Sequence, residues 1–237
     1  MGTSAPWKVQ GEEKRAAVRQ MFAEVAPTYD LVNSLMCLGL HRKWRREAVR
    51  AIGLSKGDSA IDVCSGTGDF LVPLSAAVGS AGRVVGVDFC LPMLTKASDK
   101  LEGPLLSVGD AGRLPVRSNS FDGLTVGWGL RNVPDVSAAL FEAARVLCPG
   151  GRMVSLDMAR PRSAFVGRIS EWVFHRVVPF IGRVFGKSEA YTYLPKSTLQ
   201  FLSREEMKAA IERAGFQKVQ WRDYFFGNVC MHWGIKS

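Results

Sequence analysis

Ala60-Ile61-Asp62-Val63-Cys64-Ser65-Gly66-Thr67-Gly68-Asp69 is the stretch that decides the fold, read together with Asp88, which follows Gly68 by 20 residues. An apolar run ends in a glycine turn and a helix-forming stretch follows. A second apolar run, Val84-Val85-Gly86-Val87, then ends in an acid. This is the layout of a nucleotide-type cofactor site at the carboxyl ends of two neighbouring parallel strands. Gly66 and Gly68 let the backbone turn sharply and approach a ligand closely. Asp88, followed by Phe89, can accept from two ribose hydroxyls.

The kind of nucleotide follows from what is missing. A dinucleotide fingerprint asks for a third glycine three residues on, where a pyrophosphate meets a helix N-terminus; position 71 is Leu. Asp69, at the start of that helix, is poor company for a pyrophosphate, and Asp62 is a further acid facing the turn. The set suits a cationic cofactor with a ribose and no phosphate, and S-adenosylmethionine is that cofactor. The plainer alternative is a strand-turn-helix with N-cap chemistry at Ser65 and Asp69.

The chain continues in the same alternation. Leu105 to Val108 reads as a third strand, and Asp110-Ala111 after it places an acid where it can accept from an adenine amino group; an Asx-type turn before Pro115 is the alternative. Ser120 to Gly127 is a fourth strand, and a helix follows from about Val136 to Leu147. Pro149-Gly150-Gly151-Arg152 reads as a helix stop and turn, and Met153 to Asp157 as a fifth strand. Alternation from Ser59 to Asp157 predicts a doubly wound α/β core.

Around that core lie other patterns. Residues 1 to about 11 read as a tail. Glu12 to Ala26 has helical apolar spacing and Pro27 stops it; residues 28–39 form a shorter apolar segment, and His41 to Ile52 a helix stopped by Gly53. The layout expected is a single domain over 1–237: a helical cap over 1–55, a cofactor core over 56–160, a lid over 161–202 and a final helix and antiparallel strand pair over 203–237. Within the lid, residues 163–187 combine apolar helical spacing (Phe165, Ile169, Trp172) with Arg168, Arg176, Arg183 and Lys187. That suits a membrane interface, or alternatively an ordinary core-facing helix with a solvated basic face. Ser203-Arg204-Glu205-Glu206 is a capping box for a helix ending at Gly215, and Lys218 to Tyr224 and Asn228 to Ile235 read as the late strand pair.

Composition bounds the rest. Apolar content of 47% is ample for a core, and no run approaches the ~18 apolar residues of a bilayer span. The five cysteines form no C-x-x-C pair and the three histidines are scattered. A reducing compartment and no metal site are therefore expected. No secretory signal opens the chain, which suggests the cytoplasm or an organelle interior. A net charge of +9 suggests an anionic surface without saying which.

Several motifs resemble the UbiE/MenG quinone methyltransferases. They are Met21-Phe22 with Ala26-Pro27-Thr28-Tyr29-Asp30 and Asn33; Leu38-Gly39-Leu40-His41-Arg42-Lys43-Trp44-Arg45; Gly127-Trp128-Gly129-Leu130-Arg131-Asn132-Val133; Arg145-Val146-Leu147-Cys148-Pro149-Gly150-Gly151-Arg152; and Tyr191-Thr192-Tyr193-Leu194-Pro195-Lys196-Ser197 with Phe201. The likeness covers about residues 18–237. It implies a seven-stranded class I methyltransferase fold and carbon methylation of a prenylated quinol with S-adenosylmethionine. It carries the cofactor positions to Thr67, Asp88, Asp110-Ala111 and Gly127, where many relatives have Ser. Cys64 stands where many methyltransferases have the first glycine of the turn, so ordinary φ angles are expected there.

Methyl transfer from a sulfonium to a ring carbon needs an electron-rich carbon, hence a phenolate. A phenol pKa is about 10, so a cation or a base must help. Arg131 is the cation expected to hold the oxyanion, since it stays protonated; pairing with an acid such as Asp135 is the structural alternative. Asn132 can orient a ring oxygen. His41 and the pair Tyr29-Asp30 are the base candidates. The partners expected are the quinol and a membrane face, with a homodimer left open and no nucleic acid. Rival readings are a methyltransferase of another lipophilic small molecule, a nucleic-acid-binding methyltransferase suggested by the charge, and a silent scaffold.

Overall fold

The computed structural model describes residue 9 and residues 11–237, apart from 101, 174, 175 and 177–187. A seven-stranded sheet runs through the molecule in the order β3-β2-β1-β4-β5-β7-β6. Its strands are β1 (Ser59–Val63), β2 (Arg83–Asp88), β3 (Leu105–Val108), β4 (Phe121–Gly127), β5 (Leu147–Met158), β6 (Phe216–Tyr224) and β7 (Val229–Lys236). The first five pair in parallel; β7 runs antiparallel to both β5 and β6. Strand order reverses between β1 and β4, and the carboxyl ends at such a reversal open a crevice.

The helices are α1 (Gly11–Val25), α2 (Tyr29–Met36), α3 (His41–Ile52), α4 (Leu71–Val78), α5 (Leu91–Lys100), α6 (Val136–Val146), α7 (Ala164–Trp172), α8 (Ser188–Gln200) and α9 (Arg204–Arg213). The central strands are continuously apolar because both faces are covered. On one face Ile61, Leu124 and Met153 pack with Leu140 of α6 and Ile211 of α9. On the other, Ala60, Val154 and Leu156 pack with Trp44 and Ala48 of α3 and Leu71 and Leu74 of α4.

The expected alternation is present and the ends of the elements fit their chemistry. Ser203 accepts from the Glu206 amide and Glu206 reaches back to the Ser203 amide, so α9 opens on the anticipated capping box. Gly53 ends α3 in the left-handed region, with φ +68°.

Four expectations need correction. First, α3 does not belong wholly to a cap, because Trp44, Ala48 and Ile52 form part of the core against the sheet. Second, Pro149-Gly150-Gly151 is no helix stop and turn ahead of a strand. It lies inside β5, which pairs with β4 at Leu147 and again from Arg152, the residues between forming a register shift. Third, α4 begins at Leu71 after Phe70, which makes no side-chain cap, so neither Ser65 nor Asp69 caps it. Fourth, Cys64 has φ +56°, not an ordinary angle. The chain leaving β1 turns there under Gly129, where an added Cβ would lie 2.4 Å from that of Cys64. The bare glycine makes room for the strained turn. Of the basic segment 163–187, the part at 177–187, with Arg183 and Lys187, lies outside the described residues.

Candidate active site

Two cavities meet above the carboxyl ends of β1, β2 and β4. The first, open to solvent, spans about 700 Å³ with that open space counted and carries two acids, Asp88 and Asp110, on its wall. The second, likewise open, spans about 890 Å³ and is lined mostly by apolar side chains, Met21, Val25, Met36 and Trp44 among them. Phe22, Tyr29 and Trp128 line both and form the wall between them.

The first cavity is built by the glycine turn and the ends of β2 and β3. Asp88 accepts from the amides of Gly66 and Cys90, both at 2.8 Å. Burial pushes its carboxyl up to about 6 against the pull of those amides. Asp110 accepts from the Gly112 amide at 2.8 Å and pairs with Arg15 of α1 at 2.6 Å. Arg15 thereby ties α1 across the cavity, and Lys14 adds a contact to the Val133 carbonyl at 3.3 Å. Gly66, Asp88, Phe89, Asp110, Ala111 and Gly127 all line this space, as does Asn132.

Asp62, Thr67 and Gly68 are not among its lining residues. Asp62 does not face the turn: it is buried at the centre of the sheet and accepts from Thr125 Oγ1 at 2.6 Å, and burial lifts its carboxyl to about 8. Thr67 Oγ1 donates to Asp30 at 2.5 Å.

Trp128 occupies the hinge of the site. Its φ is +54°, an uncommon conformation for a large side chain. Its neighbours must be glycines: a Cβ at Gly127 would sit 2.4 Å from the Phe70 ring, and one at Gly129 would strike Cys64. The Trp128 carbonyl accepts from the Arg131 guanidinium at 2.8 Å and from the Asn132 side-chain Nδ2 at 2.9 Å. The buried guanidinium of Arg45 lies 4.6 Å from the Trp128 ring centroid and pairs with Asp69 at 3.1 Å. A cation over an indole face holds the ring in place.

Arg131 lines the apolar cavity. It pairs with Asp157 at 2.5 Å, both side chains being almost fully buried. The expected alternative of Asp135 is not its partner; that acid caps α6 by accepting from the Ala138 amide. Two polar atoms of the turn Leu130–Asn132, Arg131 Nε and Asn132 Oδ1, are buried and find no partner among the described residues. An orphan donor and an orphan acceptor on successive residues, one lining each cavity, fit ligands that supply the missing bonds.

Two of the three base candidates are drawn away from the cavities. His41 is buried, not a surface residue; it hydrogen-bonds Ser34 at 3.1 Å and Arg45 through its other ring nitrogen. Burial, with Arg45 beside it, lowers its pKa to about 4. Asp30 is held by Thr67 and by Lys100 at 2.8 Å. Tyr29 lines both cavities, and burial raises its hydroxyl pKa. Tyr193 of α8 is buried in the electrostatic reach of Arg131, its hydroxyl pushed up to about 12.

Asp157, Arg45 and Arg15 escaped sequence reasoning. Asp157 had a legible signal, an acid near the end of a strand at the carboxyl edge of the sheet. Arg15 had none, since it reads as a basic residue on an amphipathic helix, and Arg45 had only its place in the Leu38–Arg45 motif. Among the described residues no group of three or more His, Cys, Asp or Glu could hold a metal ion, and no helix is long and apolar enough to cross a membrane.

The first cavity fits S-adenosylmethionine on its own chemistry. Two carboxylates face a cationic ligand that carries a ribose, and Arg15 is the one basic residue among those lining the space.

Comparison with known proteins agrees. The model of the ubiE/COQ5 methyltransferase family matches residues 8–236. A demethylmenaquinone methyltransferase of Staphylococcus aureus is 41% identical over 224 residues, covering 93% of each chain. One of Lactiplantibacillus plantarum is 37% identical over 227 residues, covering 93% of this chain and 96% of that one. A crystal structure titled as a SAM-dependent methyltransferase, possible histamine N-methyltransferase, from Thermotoga maritima superposes with a TM-score of 0.68 at 22% identity. It covers 93% of this chain and all of its own, and it carries the fold alone. With the family matched over nearly the whole chain and the cofactor cavity in place, this protein belongs to the ubiE/COQ5 methyltransferase family and is an S-adenosylmethionine-dependent methyltransferase.

Proposed function

We propose that this chain methylates a ring carbon of a prenylated quinol, of the demethylmenaquinol type that its relatives' names indicate, with Arg131 holding the deprotonated ring oxygen. The observation that carries the reading is the junction of the two cavities. A space that carries two acids and fits the cofactor shares the Phe22–Tyr29–Trp128 wall with an apolar space fit for a flat ring, and an incompletely satisfied guanidinium lines that second space.

When bound, the cofactor supplies an electrophilic methyl group on a sulfonium. In this reading Asp88 holds its ribose and Asp110 its adenine amino group. Arg131 draws the substrate hydroxyl towards ionisation, as a cation within a few ångström lowers an acid's pKa by about 1–3 units. Asn132 Oδ1 accepts from a hydroxyl at the junction. Tyr29 stays protonated, since its hydroxyl pKa is raised, and serves as a donor rather than a base. His41 and Asp30 position the cap through Arg45 and Thr67; the hydroxyl proton leaves to water, as does the proton that the methylated ring carbon gives up when the ring regains aromaticity. The wall between the cavities sets donor and acceptor in line, and such positioning lowers the barrier substantially.

The test is turnover with labelled S-adenosylmethionine and a panel of demethylated quinols, with products identified by mass. Arg131→Ala is expected to lower kcat by about 10²–10³, the usual loss when an oxyanion donor is removed, while calorimetry shows cofactor affinity retained. Parallel loss of both would refute the assignment. Methylation of a nucleic acid or of a non-quinol lipid in preference to the quinols would refute the substrate.

A further inference from the structure

Two apolar side chains at the rim of the second cavity are held outward by strained backbone. Leu38, in the turn between α2 and α3, has φ +50° and is 73% exposed. Phe226, in the turn between β6 and β7, has φ +57° and is 80% exposed. Each adjoins a residue that lines the cavity, Cys37 and Phe225 respectively. The two turns meet through Trp44, whose ring lies 5.9 Å from that of Phe225 and whose cluster includes Cys37. Non-glycine residues in the left-handed region cost about 1–3 kcal/mol each and gather at sites of function. The Phe226 ring touches that of Phe225 at 6.2 Å between centroids, yet most of each side chain that the strain orients reaches into solvent.

The turn that carries Leu38 runs directly into a cationic helix start. Arg42, Lys43 and Arg46 are exposed on the first turns of α3. Arg42 and Arg46 make no ion pair among the described residues. Beyond Phe226, Gly227 packs on Pro161, which leads into α7. α7 buries none of its residues and exposes Phe165 and Trp172. Large apolar side chains clustered at one opening mark an interaction surface.

We infer that the rim formed by the α2–α3 turn and the β6–β7 turn docks on an anionic lipid bilayer, with Leu38 and Phe226 entering the acyl region and Arg42 and Arg46 meeting the headgroups. The inference rests on the reading of the apolar cavity as the seat of a lipophilic substrate, which would then pass from bilayer to cavity without crossing water. Cations flanking inserted apolar groups match an anionic surface. A second copy of this chain on the same face would set the arginines against each other.

The strained backbone supplies a clean test. Asn tolerates the left-handed region far better than Leu or Phe, so Leu38→Asn with Phe226→Asn leaves the fold intact and removes the insertion. With the full chain, flotation on phosphatidylglycerol–phosphatidylcholine vesicles is expected to show binding that weakens with salt. The Asn pair is expected to weaken it at least tenfold without lowering the melting temperature. Arg42→Glu with Arg46→Glu is expected to erase the preference over pure phosphatidylcholine vesicles. Both variants should methylate a short-tailed, water-soluble quinol at the normal rate, a readout that tests the proposed reaction separately. The inference is overturned when the unsubstituted chain ignores anionic vesicles or when the Asn pair binds them undiminished. It is equally overturned when sedimentation shows that the pair breaks a dimer and leaves vesicle binding unchanged.

Discussion

Replacing Arg131 by Met separates what the buried ion pair does for the fold from what it does for the reaction. Arg131 and Asp157 meet at 2.5 Å, almost completely out of water. Asp157 also accepts from the Met158 amide at 2.8 Å. Removing the guanidinium leaves a carboxylate with a single short bond in a low-dielectric setting, and breaking such a pair costs about 3–5 kcal/mol. Replacing both partners, Arg131→Met with Asp157→Asn, removes both charges. Similar replacements elsewhere are neutral or stabilise by about 1–4 kcal/mol. Arg131 Nε has no partner among the described residues, so the native pair is not arranged for stability alone. Chemical denaturation at pH 7 is therefore expected to place the double variant at or above the unsubstituted chain and the single variant several kcal/mol below. Turnover should fall about 10²–10³ in both, because neither has the guanidinium. A double variant as unstable as the single one would show that the pair is purely structural. Near-normal turnover in either would remove Arg131 from the chemistry.

Three further outcomes are expected. Asp88 titrates near 6, and its ionised form is the better acceptor for ribose hydroxyls. Cofactor affinity measured by calorimetry should hold from pH 8 to 7 and fall towards about tenfold per unit below pH 6, and Asp88→Asn should remove that dependence; identical profiles would refute the role. Asp62 is raised from 3.8 to about 8, so it is neutral in the fold and charged when unfolded. Its contribution to stability is complete below about pH 4 and is lost as pH rises through 8. Asp62→Asn should accordingly gain on the unsubstituted chain across that range in urea unfolding, and parallel curves would contradict the burial argument. Gly127→Ser should fail to bind cofactor because its Cβ meets Phe70 at 2.4 Å, and adding Phe70→Leu should restore binding; no rescue would mean that the clash is not the cause.

The sequence by itself determined the cofactor half of this protein. Strand, glycine turn, helix and acid follow one another locally, so Asp88 and Asp110 could be placed at strand ends from apolar runs and breakers alone. The capping box at Ser203 and the stop at Gly53 were legible for the same reason, since each depends on neighbours within a single turn of helix. The resemblance then supplied the family and the proposed reaction, and the family match agrees as to the family and methyl transfer.

Only the tertiary structure decided who meets whom. Arg131 and Asp157 are 26 residues apart, and their pairing depends on β4 and β5 lying side by side. His41 looked like a base because its helix was read as a cap; packing α3 on the sheet buried the ring and put Arg45 against it. Asp62 looked like a ligand because it precedes the turn, yet strand alternation turned it to Thr125 on the neighbouring strand. The left-handed angles of Cys64, Trp128, Leu38 and Phe226 were invisible as well. Local preference argues against each of them, and the surrounding contacts override it. Periodicity and turn chemistry are properties of neighbours along the chain, whereas charge partners, buried pKa values and strain belong to groups that come together only when the sheet has closed.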